Sequence, residues 1–278
     1  MMMGKKILFL LAIAAIAFYG CDKIEGSQFD DLTNVNTGQK VLIEEFTGHY
    51  CGNCPDGARK LEELKKIYGD TLVIVSEHLG IFANAKYYGK NYKYDFNTAA
   101  GKDIEALFPA SSYPCGLINR RGKQIFTKNS WATQIEKELA NIPKAILTIE
   151  NKYDSVSHDL TINISIEYKK ISSSTDYLCV YLTEDSIINY QRDDSKDPSD
   201  VPNYVFRHTL RAAITNTFGE AISTSTVKIG STITKTYQYK IGTDVNGAEI
   251  KAKHCSVVAF MTNSSNYEVF QVDEKKVE

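Results

Sequence analysis

The segment Cys51-Gly52-Asn53-Cys54-Pro55 joins two stretches of different hydrophobic character. Before it, Val41-Leu42-Ile43-Glu44-Glu45-Phe46 reads as a buried strand and Thr47 to Tyr50 as a turn. After it, Ala58, Leu61, Leu64 and Ile67 recur every three residues among Arg, Lys and Glu, which predicts an amphipathic helix ending at Gly69-Asp70. Leu72-Val73-Ile74-Val75 then reads as a second buried strand. A Cys-x-x-Cys pair is thus expected at the entry of the helix of a βαβ unit. There the unpaired N–H groups and the helix dipole favour an anion, so the Cys51 thiolate is stabilised. Cys54, one turn along, can close a small disulfide ring and resolve a mixed disulfide formed on Cys51. The chemistry implied is thiol–disulfide exchange with a protein or peptide substrate. A structural zinc site commonly uses two such pairs and this chain has one, so no metal and no resident cofactor are expected.

Further along, Phe108-Pro109-Ala110-Ser111-Ser112-Tyr113-Pro114-Cys115 precedes Gly116-Leu117-Ile118-Asn119. Arg120 to Lys123 reads as a turn, Gln124 to Thr127 as the second strand of a hairpin, and Trp131 to Asn141 as a closing helix. Taken together, residues 40–142 resemble the thioredoxin superfamily. The resemblance implies that Tyr113-Pro114 is the cis-proline facing the dithiol. It also implies that Glu45, six residues before Cys51, is the buried acid that moves a proton to and from Cys54. The implied catalytic set is Cys51, Cys54, Glu45 and Pro114, with Tyr50, Tyr113 and Cys115 positioning the substrate. Tyr50 stands where thioredoxins usually carry Trp. Residues 79–108 are longer and richer in Tyr than that fold requires; Tyr87 to Phe96 is expected either as a substrate-facing lid or as an inserted helical segment. Cys115 is either a thiol near the pair or a small hydrophobe in a strand. His49 either lowers the thiolate pKa when protonated or stands in a solvated turn. His78, His158 and His254 have no partner at a telling spacing and are assigned no chemistry.

From Ala145 the pattern changes. In Leu160-Thr161-Ile162-Asn163-Ile164-Ser165-Ile166 the apolar residues alternate cleanly. Ile146 to Ile149, Tyr177 to Leu182, Thr224 to Ile241 and Cys255 to Met261 also read as strands. An all-β, immunoglobulin-like sandwich is expected over 143–278, with Ile142-Pro143-Lys144 as the hinge. Residues 189–203 read as an exposed loop. Arg207, His208 and Arg211 either meet an acidic group of a partner or of the first domain, or face solvent. Cys179 and Cys255 either pair or remain free.

At the other end, Lys5-Lys6 and the twelve-residue apolar run Ile7–Phe18 fit a secretory signal and fall short of a membrane span. Gly20-Cys21 resembles a lipobox. That makes 1–20 the signal peptide, Cys21 the lipidated residue and 21–39 a tether. With 32 basic and 34 acidic residues, the formal charge of −2 argues against nucleic-acid binding. A lipoprotein signal, a thioredoxin-like domain and a β-sandwich together resemble the Omp28-related outer-membrane lipoproteins of Bacteroidota. The carrying residues are Glu45 to Pro55, Tyr113-Pro114 with Asn119-Arg120, and Arg207-His208-Thr209-Leu210-Arg211. The resemblance implies an outer-membrane location, facing the periplasm or the exterior. Two functions are consistent with this sequence. One is membrane-anchored thiol–disulfide exchange with an unidentified redox partner. The other is a non-catalytic binding or adhesion lipoprotein that uses the fold as a scaffold.

Overall fold

Strand β1 (Val41–Thr47) is buried at every position because elements cover both of its faces. It runs parallel to β2 (Leu72–His78), in register from Val41↔Leu72 to Thr47↔His78. The crossover between them is helix α1 (Cys54–Tyr68). On its other side β1 pairs antiparallel with β3 (Cys115–Ile118), which pairs with β4 (Ile125–Thr127). This computed structural model describes residues 38–85, 89 and 91–278. The expected signal, Cys21, the start of the tether, Tyr87 and Tyr88 lie outside the described residues.

One face of this four-stranded part packs on α1 and on α3 (Trp131–Leu139), through Ile43, Leu61, Leu64, Ile74, Trp131 and Ile135. The opposite face packs on α2 (Ala99–Leu107) through Leu42, Phe46, Val73, Val75 and Ile104. Thr98 caps α2, its hydroxyl accepting from the Gly101 N–H at 2.9 Å. In α1 the expected apolar stripe does not run its full length, since Ile67 is 70% exposed. A spacing of three falls short of a helical turn by about 60° per step, so the fourth member rotates off the buried face. Tyr68 packs against the core in its place.

The second half of the chain forms two layers. β5 (Ala145–Asp154), β6 (Asp159–Tyr168) and β12 (Thr232–Lys240) make an antiparallel sheet in the order β12-β6-β5. Its alternating residues Leu160, Ile162, Ile164 and Ile166 share a core with Leu178, Val180 and Leu182 of β7 (Asp176–Glu184) and with Val257, Ala259 and Met261 of β13 (Cys255–Asn263). Residues 224–231, expected in a strand, lie outside β12. β13 also pairs with β14 (Val269–Lys276).

The layer containing β7 is continuous with the sheet of the first half. Through β10 (Thr209–Ala213) it joins the first sheet, giving the order β14-β13-β7-β10-β2-β1-β3-β4, with β11 (Glu220–Ser223) beside β7. The join is narrow: β10 lies parallel to β2 through Thr209↔Ser76 alone. The Ser76 N–H donates to the His208 carbonyl there, at 2.8 Å. Everything from β1 to β14 belongs to one compact unit.

A buried ion pair also links the two halves. Arg120 donates to both oxygens of Glu44, at 2.7 and 2.5 Å, with both side chains fully buried. Its guanidinium also reaches the Tyr181 hydroxyl at 3.3 Å and lies 5.1 Å from the Phe260 ring centre. Cys179 and Cys255 are both free and buried. They sit in separate cores, Cys179 with Tyr181 and Phe260 and Cys255 with Val257 and Met261. Among the described residues of the Tyr-rich segment, 92–96 form no helix, although Tyr92 and Phe96 are buried.

Candidate functional site

Cys51 and Cys54 are joined in a disulfide with their Cα atoms 5.3 Å apart. Helix α1 begins at Cys54, with Asn53 as its N-cap and Pro55 in its first turn, where the missing N–H leaves no bond unmade. Cys51 lies just before that turn, its carbonyl accepting from the Cys54 N–H at 3.2 Å. The Tyr113–Pro114 bond is cis. The Pro114 ring packs so close to α1 that a Cβ at Gly57 would fall 2.8 Å from it and 3.0 Å from Glu45 Oε1. Glycine in mid-helix costs about 1 kcal/mol relative to alanine. Here it lets the helix, the proline and the acid meet.

Glu45 is buried under α1. One oxygen, Oε2, accepts from the Ser76 hydroxyl at 2.8 Å, and the other, Oε1, has no hydrogen-bond partner. Burial raises its pKa from 4.5 to about 7, against the lowering effects of the Ser76 bond and of nearby His208. Glu45 and Cys54 both line a cavity of about 340 Å³, whose wall also includes Tyr204, Phe206 and His208 from the second half.

The segment expected as an exposed loop at 189–203 is a hairpin laid over the disulfide. Strands β8 (Ile187–Arg192) and β9 (Asp200–Phe206) pair with each other, apart from the main sheet. The Arg192 N–H donates to the His49 carbonyl at 2.8 Å and the Asp194 N–H to the Gly52 carbonyl at 2.9 Å. The Gln191 side chain donates to the Cys51 carbonyl at 3.1 Å. Asp193, a buried carboxylate, takes the Arg59 guanidinium of α1 at 3.0 Å. Gly52 lies directly under the Asp194 side chain, which a Cβ there would displace. Cys51 is consequently only 5% exposed and Cys54 only 1%.

His49 does not stand in a solvated turn. It is buried edge-on to Tyr92 and Phe96, and burial lowers its pKa to about 4. It is neutral at pH 7 and supplies no positive charge to the thiolate. Cys115 packs in the apolar cluster with Phe46 and Leu79, and burial, with Glu45 second, raises its thiol to about 12. It sits there as a protonated hydrophobe. Tyr50 is half-buried, edge-on to Tyr92 and 5.3 Å from the Arg192 guanidinium carbon. Tyr113 is half-buried against Phe82.

Of the three basic residues read either as meeting acids or as facing solvent, His208 and Arg207 face Glu62 of α1 at 3.5 and 4.0 Å. Arg211 instead turns to Glu184 and Asp244, at 3.1 and 2.7 Å. The sequence reading missed Ser76, His78, Gln191, Asp193 and Tyr204. His78 stacks on Phe96 with ring centres 4.4 Å apart, and burial lowers its pKa to about 3. Its place at the end of β2, three residues beyond the last apolar strand residue, was the available signal.

Comparison with known proteins bears on this arrangement. The family described as Outer membrane protein Omp28 matches residues 101–278, more than half of the chain. The chain belongs to the Omp28 family. The Omp28 match begins beyond the Cys-x-x-Cys loop and takes in both the cis-proline and the covering hairpin. As an Omp28 member the chain is an outer-membrane protein of the cell envelope. No helix among the described residues is long and apolar enough to cross a membrane. No curated protein sequence matches. Among solved structures, HBP35 of Porphyromonas gingivalis is similar at a TM-score of 0.63 and 16% identity, over 86% of this chain and 75% of that one. Protein AGR_C_4864 from Agrobacterium tumefaciens reaches 0.51 at 13% identity, over 86% and 95%. A domain of the outer membrane lipoprotein Omp28 from Porphyromonas gingivalis reaches 0.34 at 19% identity, over 50% and 91%. At these identities the first two likenesses concern the fold alone.

Proposed function

We propose that this chain is a lipid-anchored thiol–disulfide exchange protein. Cys21 carries the anchor, residues 21–39 form the tether, residues 40–142 a thioredoxin-like domain and residues 143–278 an immunoglobulin-like sandwich. The observation that carries the reading is Glu45: a buried carboxyl, with one oxygen unpartnered, lining the same cavity as Cys54. With its pKa raised to about 7, it can both give and take a proton near neutrality.

In the reducing half-reaction a substrate thiolate attacks Cys51 Sγ. A new S–S bond forms between substrate and Cys51, the Cys51–Cys54 bond breaks, and Cys54 leaves as a thiolate that takes the Glu45 proton. A second substrate thiol, as thiolate, then attacks the substrate sulfur of the mixed disulfide and releases Cys51. The substrate dithiol is oxidised and the enzyme disulfide reduced. In the reverse direction Cys54 gives its proton to Glu45 before attacking Cys51 of the mixed disulfide. Pro114, packed against α1, lines the approach of the substrate backbone, and Tyr50 and Tyr113 position the substrate.

The test is the midpoint potential of the Cys51–Cys54 pair in the mature chain, equilibrated in graded glutathione buffers and read by alkylation and mass, with Cys115→Ser as control. A midpoint of roughly −120 to −270 mV, together with exchange activity that Cys51→Ser abolishes, is expected. A pair still oxidised below about −300 mV overturns the proposal and leaves the non-catalytic scaffold.

A further inference from the structure

Resting on the exchange reading above, we propose that His208 relays protons between Glu45 and bulk water across the cavity that separates them. Glu45 forms part of the floor of this cavity, its free Oε1 buried and unpartnered. A void of about 340 Å³ with polar groups on its wall has room for several waters. His208 stands at its mouth with its side chain 16% exposed. It is the sole imidazole in the cavity wall that is not shut away from solvent, since His78, the other, is fully buried and held neutral at pH 7.

The fold holds His208 in place at some cost. Its φ is +53°, a left-handed conformation uncommon for a residue with a Cβ. Two hydrogen bonds maintain it: its N–H donates to Asp185 Oδ1 at 2.8 Å, and its carbonyl accepts from the Ser76 N–H at 2.8 Å. The second of these is telling, because the Ser76 hydroxyl is the group that hydrogen-bonds Glu45. One residue therefore orients the acid by its side chain and the imidazole by its backbone. Strain that the surroundings over-determine is a signature of functional positions.

The charged groups facing the imidazole suit a relay. On α1, Glu62 Oε1 lies 3.5 Å from Nε2; after β7, Asp185 Oδ1 lies 3.7 Å from Nδ1. Arg207 shares Glu62 at 4.0 Å, and Lys276 neutralises Asp185 at 2.7 Å. Glu62 lines the cavity together with His208, so its carboxylate can bridge the imidazole and cavity water, and each carboxylate has a cation nearby. When Cys54 leaves and takes the Glu45 proton, the carboxylate regains one from cavity water, which draws it through His208. The imidazole then recovers its proton from bulk solvent. On oxidation the same proton runs outward. No electron passes through His208, which acts only through Glu45 and is a positioning residue in that sense.

The experiment uses the mature chain with a small dithiol as reductant, following reduction of Cys51–Cys54 from pH 5.5 to 8.5. His208→Asn is expected to slow the step about tenfold near pH 7, to flatten its pH dependence, and to leave the midpoint potential unchanged. Added imidazole restores the rate. Glu62→Gln, an exposed change that threatens the fold less, slows it about threefold. If wild type exchanges and both variants match it, the relay is overturned and the exchange reading stands. A slowing that imidazole does not restore and that moves the midpoint marks a structural role and also overturns the relay. If wild type shows no exchange, both readings fall together.

Discussion

Replacing Asp193 by alanine should uncover the disulfide. The hairpin tip is fastened to α1 by the Asp193 carboxylate, 2% exposed, which accepts from Arg59 at 3.0 Å and from the Ser195 N–H and hydroxyl at 3.1 and 2.6 Å. Hydrogen bonds to a charged, buried group contribute about 1.5–3 kcal/mol each, but two of these three lie within the hairpin itself. The one bond lost between elements is therefore worth about 2 kcal/mol. At a tenfold change per 1.4 kcal/mol, the open population rises about 30-fold. Where the hairpin recloses faster than a reductant attacks, the reduction rate rises by the same factor. Arg59→Ala breaks the same bond from the other side and leaves the buried Asp193 carboxylate without its cation, so it should accelerate reduction by a similar factor. The assay is pseudo-first-order reduction of Cys51–Cys54 by a water-soluble phosphine, read by alkylation and mass, with thermal unfolding as a check on global stability. Equal rates in wild type and Asp193→Ala would show that the hairpin does not limit access and would refute the reasoning.

Three further outcomes follow from buried charges. Glu45 keeps its proton in the folded state up to about pH 7 but loses it at 4.5 when unfolded, so stability should fall as pH rises between those values, by ~3 kcal/mol in full; urea midpoints of wild type should show this slope, and those of Glu45→Gln should lack it. His78 behaves oppositely: with its folded pKa lowered from 6.5 to about 3, stability is complete above pH 6.5 and is lost as pH falls toward 3. His78→Phe, which keeps the stack on Phe96, should flatten that acid limb in the same titration. Arg120→Met strands the buried Glu44 carboxylate beside Glu77, itself held well above the normal carboxylate range by burial first and Glu44 second. It should cost about 3–5 kcal/mol by urea unfolding, much of it recovered by adding Glu44→Gln.

What could be read from the chain depended on whether a residue's partner was local. The βαβ unit, the hairpin after Pro114 and the alternating strand at Leu160–Ile166 are set by period and turn chemistry within some thirty residues, and each was legible. Ile67 was misread because a spacing of three imitates a helical stripe for only two or three steps. The hairpin at 187–206 gave no such signal: its Asp, Ser and Pro content reads as a loop. Its hydrogen bonds to His49, Cys51 and Gly52 span about 140 residues, as in the Gln191–Cys51 pair. His49 and His78 looked solvated or idle because nothing in the sequence places Tyr92, Phe96 and Phe206 around them. The Cys51–Cys54 pair and the acid at Glu45 were legible by spacing and resemblance, whereas their cover and cavity were not.

The narrow join between β10 and β2 explains why cover and cavity exist together. Without β10, the outer edge of β2 would present unpaired backbone groups to solvent, a template for association. A strand laid along the whole edge would satisfy them but would carry its own ends away from the disulfide. Here pairing begins at Thr209↔Ser76, and the register of β10 shifts between Leu210 and Ala212 as it turns onto β7. The residues just before Thr209 are thereby released at the end of β2, beside the turn that leads into Cys51. His208 reaches the cavity from that point, and the hairpin that precedes it lies across the Cys-x-x-Cys loop. Joining the two halves of the sheet and covering the disulfide are two results of one strand placement, so a shift of β10 along β2 would alter the access of the disulfide and the position of His208 at once.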